Sequence, residues 1–197
     1  KFIFMNWETL ISYGDSITIG SRTYLGYPEI AGAILKENTA KNWNVINVSV
    51  AGFTTIQLER LVAERMGHLR IEQPSVSTLM IGTNDAKAAT PESDFRIAYE
   101  QLLLKIRLVQ KTRHVICIGI PHLQEGVMLP YELEMNSRIT GYNEIIKSLS
   151  EENNLRYFEM IGEKGLFFDG VHLNEKGVHQ FGKQLAGFIL KIRGVEI

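Results

Sequence analysis

Leu10–Ile11–Ser12–Tyr13–Gly14–Asp15–Ser16–Ile17–Thr18 runs from a short apolar segment into a glycine, an acid and a hydroxyl. Four mostly apolar, β-favouring residues closed by Gly14 read as a strand buried on both faces. The small polar residues after it suit a strand-to-helix turn. The same grammar recurs downstream. Val45–Ile46–Asn47–Val48–Ser49–Val50 ends near Gly52, Val76–Ser77–Thr78–Leu79–Met80–Ile81 at Gly82, and Val115 to Ile120 at Pro121. Leu155–Arg156–Tyr157–Phe158 is a fifth, weaker run.

Stretches of helical period separate these runs. Phe95, Ala98, Tyr99, Leu102, Leu103, Ile106 and Val109 share one helix face. Thr90–Pro91–Glu92 is read as the start of that helix, with Thr90 as the capping hydroxyl. Leu58, Leu61, Val62 and Met66 form a shorter stripe, with Gly67 placed to end it. Ile139, Tyr142, Ile145, Ile146 and Leu149 form another. The last contains Val178, Phe181, Leu185, Phe188, Ile189 and Ile192, opened by Asn174 as a cap. An earlier helix is expected around Pro28 to Leu35. The resulting order, βαβαβαβαβα, predicts an α/β fold with a parallel sheet covered by helices on both faces. Without repeats, low-complexity runs or linkers, residues 1–197 are expected to form a single domain.

Composition narrows the function classes. The chain has 197 residues, 45% hydrophobic and 22% charged, with a formal net charge of −1. That balance lacks the basic stripe with which a nucleic-acid binder neutralises phosphates. Cys117 is the one cysteine, which leaves no intrachain disulfide and no thiolate metal site; it reads as a small core residue. No apolar stretch approaches the ~20 residues needed to span a bilayer. A chain starting at Lys1 is expected to be trimmed or processed, and Lys1–Phe2–Ile3–Phe4–Met5 is too short for a signal h-region. The compartment is left open between cytoplasm and export, as is the oligomeric state.

In open parallel sheets, sites form beyond the carboxyl ends of the strands. The segments expected there are Gly14–Asp15–Ser16, Ala51–Gly52–Phe53, Gly82–Thr83–Asn84–Asp85, Pro121–His122 and, further on, Phe168–Asp169–Gly170–Val171–His172–Leu173. Together they hold the groups that acyl transfer needs. A serine hydroxyl requires a base within reach, and the base requires an orienting group. Histidine titrates near neutrality, which suits His172 to that task. Asp169, three residues earlier, can hold its tautomer. The backbone N–H groups of Ser16 and Gly52 and the Asn84 amide are candidate donors for an oxyanion. Losing one such donor typically costs about 3–4 kcal/mol of barrier.

Gly14–Asp15–Ser16, Gly52, Gly82–Thr83–Asn84–Asp85 and Asp169–Gly170–Val171–His172, in this order and each after its proper element, resemble the SGNH (GDSL) hydrolase superfamily. The resemblance runs from Gly14 to His172. It implies Ser16 as nucleophile, Asp169 and His172 as the other triad members, and Ser16, Gly52 and Asn84 as the oxyanion hole. It also implies a flavodoxin-like three-layer α/β/α sandwich with a five-stranded parallel sheet. No cofactor is expected, and no metal, because no second carboxylate or histidine stands at ligand spacing beside Asp169 and His172. Two positions differ from common versions of the motifs: Ile17 follows the Gly–Asp–Ser, and Leu173 rather than proline follows the histidine. The surroundings of Ser16 lack the Gly-x-Ser-x-Gly elbow of α/β-hydrolases.

Plainer readings stand beside each of these. Gly14–Asp15–Ser16 alone would be a turn with a capping serine. Asp85 reads as a structural turn residue. His68, His114 and His179 read as surface residues, and His122 as a surface residue or a pocket lining. Arg22, Tyr24 and Tyr27 after the nucleophile, and Met128, Leu129, Pro130 and Tyr131 in the long connection from His122 to Met135, are candidate pocket residues. The expected activity is hydrolysis of a short-chain acyl or acetyl ester of a small molecule through an acyl-enzyme. The rivals are an acyltransferase using the same triad and a non-catalytic binding module, such as one holding an anion at the Gly14–Thr18 turn.

Overall fold

The computed structural model describes residues 6–65, 74–109 and 111–194. Among them, five parallel strands form one sheet in the order β2-β1-β3-β4-β5. They are β1 (Trp7–Gly14), β2 (Asn42–Asn47), β3 (Val76–Met80), β4 (His114–Ile118) and β5 (Arg156–Phe158). The helices are α1 (Ser16–Ile19), α2 (Tyr27–Thr39), α3 (Thr55–Arg65), α4 (Thr83–Ala88), α5 (Glu92–Leu104), α6 (Asn136–Glu152) and α7 (Glu175–Ile192). A π-helical turn, Lys105–Val109, extends α5. Helices α2 and α7 pack on each other over one side of the sheet, and α3, α5 and α6 over the other. This is the α/β architecture that the alternating pattern predicts.

The connectivity places the site. Helix α2 carries the chain from β1 out to the edge strand β2, and α3 carries it back past β1 to β3. Strand order therefore reverses between β1 and β3, and a crevice opens beyond their carboxyl ends. Gly14 ends β1 opposite Met80 of β3. A Cβ at Gly14 would lie 2.6 Å from the Met80 carbonyl oxygen, so a larger residue would force the two strands apart at this point. Hydroxyls inside the sheet satisfy one another. Ser12 and Thr78 are register partners, and Thr78 Oγ1 donates to Ser12 Oγ at 2.8 Å.

Several boundaries differ from expectation. All five residues of β3 are buried, but β2 runs from Asn42 to Asn47 rather than from Val45 to Val50, and is only partly buried. As an edge strand it has a neighbour on one side only. Beyond it, Val48 and Val50 still donate backbone hydrogen bonds to Ser12 and Gly14. Thr90 does not cap α5: Pro91 occupies that position without a side-chain bond, and the Thr90 backbone N–H donates to the Asp85 carbonyl at 3.0 Å. Asn174 does cap α7, accepting from Gly177 N–H at 2.9 Å. The short helices α1 and α4 have no sequence counterpart, because four to six residues show no periodicity. Met66, Gly67 and His68 lie outside the described residues.

One buried charge escapes the apolar pattern. Glu8 of β1 is 6% exposed. Arg193, just past α7, meets its two oxygens at 3.0 and 3.3 Å, and Arg113 reaches it at 3.3 Å. Burial works to raise the Glu8 pKa, but hydrogen bonds from Arg193 and Ser75 and the charges of both arginines outweigh it and hold the carboxyl below its ordinary value. Glu8→Ala is therefore expected to destabilise by about 2 kcal/mol near neutral pH, less than a fully dry pair because Arg113 is exposed. The carboxylate's contribution is complete above the ordinary carboxylate range and fades as pH falls through the lowered value. The difference in melting temperature between parent and variant should close in acid. A gap that stays constant into acid would reject the ion pair as its source.

Candidate active site

Ser16 opens α1 directly after β1. The turn is pinned by Asp15, whose Oδ1 accepts from Ile17 N–H at 3.0 Å. Thr18, on the same short helix, bonds to the Tyr27 hydroxyl at 3.1 Å, which ties the turn to the start of α2. Ser16 is thereby held 7% exposed, at the mouth of the crevice.

The loop before α7 reaches the same point. His172 Nε2 lies 2.9 Å from Ser16 Oγ, across 156 positions of sequence. His172 Nδ1 lies 2.8 Å from Asp169 Oδ2. The other Asp169 oxygen accepts from the backbone N–H groups of His172 at 2.8 Å and Val171 at 3.1 Å. Burial works to raise the Asp169 pKa, but these donors and the imidazole outweigh it and hold the carboxyl below its usual value. Asp169 therefore stays an anionic acceptor, which assigns the histidine proton to Nδ1 and leaves Nε2 free to accept from Ser16. Arg22 adds a charge nearby: its Nε is 3.6 Å from Asp169 Oδ2, and its guanidinium lies over the Phe168 ring at 5.7 Å.

Gly52 reaches this edge on the loop after β2, and Asn84 in the first turn of α4, after β3. Gly52 has φ +81° with open space around it, so its requirement is the left-handed backbone rather than a close approach within the chain. Asn84 is 1% exposed. Its Nδ2 donates to the Phe53 carbonyl at 3.0 Å, which binds the start of α4 to the loop that carries Gly52. Its Oδ1 accepts from the Tyr131 hydroxyl at 2.8 Å. A hydroxyl–imidazole–carboxylate relay thus stands at the carboxyl edge of the sheet, at which Gly52 and Asn84 also follow their strands.

The remaining candidates divide. Asp85, read as a turn residue, instead lies in α4 and ties it to α3: its Oδ2 accepts from Thr55 N–H at 2.8 Å and Thr55 Oγ1 at 3.0 Å, a partnership that sequence spacing does not reveal. His122 bonds to Thr140 at 3.1 Å and borders a separate recess with Pro121, Glu159 and Met160. His179 is exposed and His114 half-buried. Tyr27 is buried in the core, whereas Tyr24 is fully exposed. A cleft of about 640 Å³ borders Asp169, lined by Gln124, Glu125, Leu133, Asn136 and Phe168 among others. Among the described residues, no three His, Cys, Asp or Glu side chains cluster as metal ligands would. Nor is any described helix long and apolar enough to cross a membrane.

The profile of the GDSL-like lipase/acylhydrolase family matches residues 12–180, from β1 into α7. The chain belongs to this family. Its class is accordingly that of a carboxylic ester hydrolase. Solved structures share the fold over nearly the whole length of both chains. The acetylxylan esterase Axe2 from Geobacillus stearothermophilus is 21% identical, with a TM-score of 0.71 over 96% of this chain and 95% of that one. The acetyl xylan esterase AlAXEase is 22% identical, with a TM-score of 0.73 over 92% and 99%. Est24, a carbohydrate acetylesterase from Sinorhizobium meliloti, is 16% identical, with a TM-score of 0.74 over 94% and 99%. No curated protein sequence matches the chain.

The aspartate of the Gly14–Asp15–Ser16 turn is fully buried, and its Oδ2 has no hydrogen-bond partner among the described residues. Burial, with a further push from Asp85, raises its pKa to about 7. The folded protein thus keeps a proton on Asp15 that the unfolded chain has already lost between the ordinary carboxylate value and about 7. Asp15 therefore lowers stability progressively as pH rises through that window. Asp15→Asn keeps an acceptor for Ile17 and removes the charge. Its melting temperature should gain on the parent's from acid to neutral pH and hold that gain above. Parallel curves would show that Asp15 does not carry the proton.

Proposed function

We propose that the protein hydrolyses short-chain acyl esters, acetyl esters of water-soluble alcohols such as sugars foremost, through an acyl-enzyme on Ser16. The observation that carries this reading is the continuous relay from Ser16 Oγ to His172 Nε2 and from His172 Nδ1 to Asp169 Oδ2, at 2.9 and 2.8 Å. The acetyl-ester preference is supported by fold neighbours described as acetylxylan and carbohydrate acetylesterases.

In the proposed reaction, Ser16 Oγ forms a bond to the acyl carbon while its proton passes to His172 Nε2. Asp169 stabilises the imidazolium through the Nδ1 hydrogen bond. The tetrahedral oxyanion is held by the N–H groups of Ser16 and Gly52 and by Asn84 Nδ2. Collapse breaks the bond to the alcohol oxygen, which leaves with the proton from Nε2. Water then attacks the acyl-enzyme, giving its proton to His172, and the second collapse releases the carboxylic acid and restores the Ser16 hydroxyl.

Hydrolysis of p-nitrophenyl esters from acetate to decanoate tests this reading. Turnover is expected to be greatest on the shortest chains. Ser16→Ala should lose at least ~10⁴-fold in kcat, and Asp169→Asn about 10³–10⁴-fold. A fluorophosphonate should label Ser16 in the parent alone. Undiminished turnover in Ser16→Ala would refute the mechanism, and a preference for decanoate would refute the acyl-length assignment.

A further inference from the structure

The amide of Asn84 has two ends of opposite use. Only the nitrogen can donate to an oxyanion; the oxygen in its place would repel one. A side-chain amide can exchange these ends by a half-turn, so the fold must choose between them. One choice is made by the Phe53 carbonyl, which accepts one Nδ2 hydrogen at 3.0 Å and leaves the second for a ligand. The other is made from outside the motif blocks. Tyr131, in the connection between β4 and α6, donates its hydroxyl to Asn84 Oδ1 at 2.8 Å.

We propose that Tyr131 is a positioning residue for the oxyanion hole: its O–H holds Asn84 Oδ1 so that Nδ2 faces the reacting acyl oxygen. This inference rests on the esterase reading of the site. Several features suit Tyr131 to the task. Its phenol must stay protonated to donate, and burial, with the neighbouring Asp15 and Asp169 carboxylates, pushes its pKa up to about 12. Lys87 lies over its ring at 5.1 Å, which fixes the ring from the α4 side. Asn84 is 1% exposed, so bulk water does not stand in for a lost partner. The contact also joins the long connection between β4 and α6 to the catalytic edge. Asn84, in α4, is thereby ordered from two loops, that of Phe53 and that of Tyr131.

Tyr131→Phe tests the proposal, because it removes one oxygen and keeps the ring over Lys87. On p-nitrophenyl acetate, kcat is expected to fall at least ~10-fold, a fraction of what loss of a whole oxyanion donor costs. KM should change by less than ~3-fold, because the lost stabilisation belongs to the transition state. Affinity for methylboronic acid, which forms a tetrahedral adduct with a serine, should weaken in parallel with kcat. The melting temperature reports whether the variant is folded. The deciding comparison is made in the Asn84→Ala background, where Tyr131→Phe should cost nothing further in kcat. An equal loss in both backgrounds would overturn the proposal, as would a raised KM at unchanged kcat. A parent inactive on every ester and unlabelled by fluorophosphonate would overturn the esterase reading and this inference together. An active parent with undiminished kcat in Tyr131→Phe would overturn this inference alone.

Discussion

The close pairing of β1 with β3 at their carboxyl ends is the constraint on which the rest of the site depends. Gly14 lies against the Met80 carbonyl with no room for a side chain, and from that point the two strands release their chains into α1 and α4. Ser16 and Asn84 are the second residues after those strand ends or their closing glycines, so their separation is set by sheet geometry rather than by loop conformation. Groups that must converge within a few tenths of an ångström are best placed on such rigid supports. The loops that carry Gly52, Tyr131 and the Asp169–His172 pair then close onto this fixed frame.

Holding that frame leaves polar groups deep in the protein. Asp15, Thr18, Thr55, Thr83, Asn84 and Asp85 are all buried around the crevice. Burying unpaired polar atoms is unfavourable, and Asp15 Oδ2 and Asp85 Oδ1 have no partner among the described residues. The two carboxylates respond as physics requires: burial raises both pKa values. Asp169 behaves oppositely, since two backbone N–H groups and an imidazole face its oxygens. The pKa values of these three aspartates thus shift in different directions because of their surroundings alone, and the one whose charge is stabilised by an imidazole is suited to support an imidazolium. The continuous apolar core beneath, from Leu10 in β1 to Leu190 in α7, offsets the cost of these buried groups.

Much of this was legible in the chain itself, for local reasons. Apolar runs, four of them closed by glycine or proline, and stripes at helical spacing mark the five strands and the longer helices, because burial of a strand or a helix face leaves its period in the sequence. Asn174 could be identified as a cap because capping is a contact between residues three apart. The motif blocks Gly14–Ser16, Gly52, Gly82–Asp85 and Asp169–His172 named the residues that the fold brings to one edge. Only tertiary structure decided the rest. Whether β2 is buried or forms an edge and which partner satisfies Glu8 depend on neighbours distant in sequence. The Tyr131 hydroxyl and Asn84 are 47 positions apart, and no spacing rule connects them. Local order is written in periodicity and turn chemistry. The partner of a buried polar atom is set by where the folded chain has placed every other one.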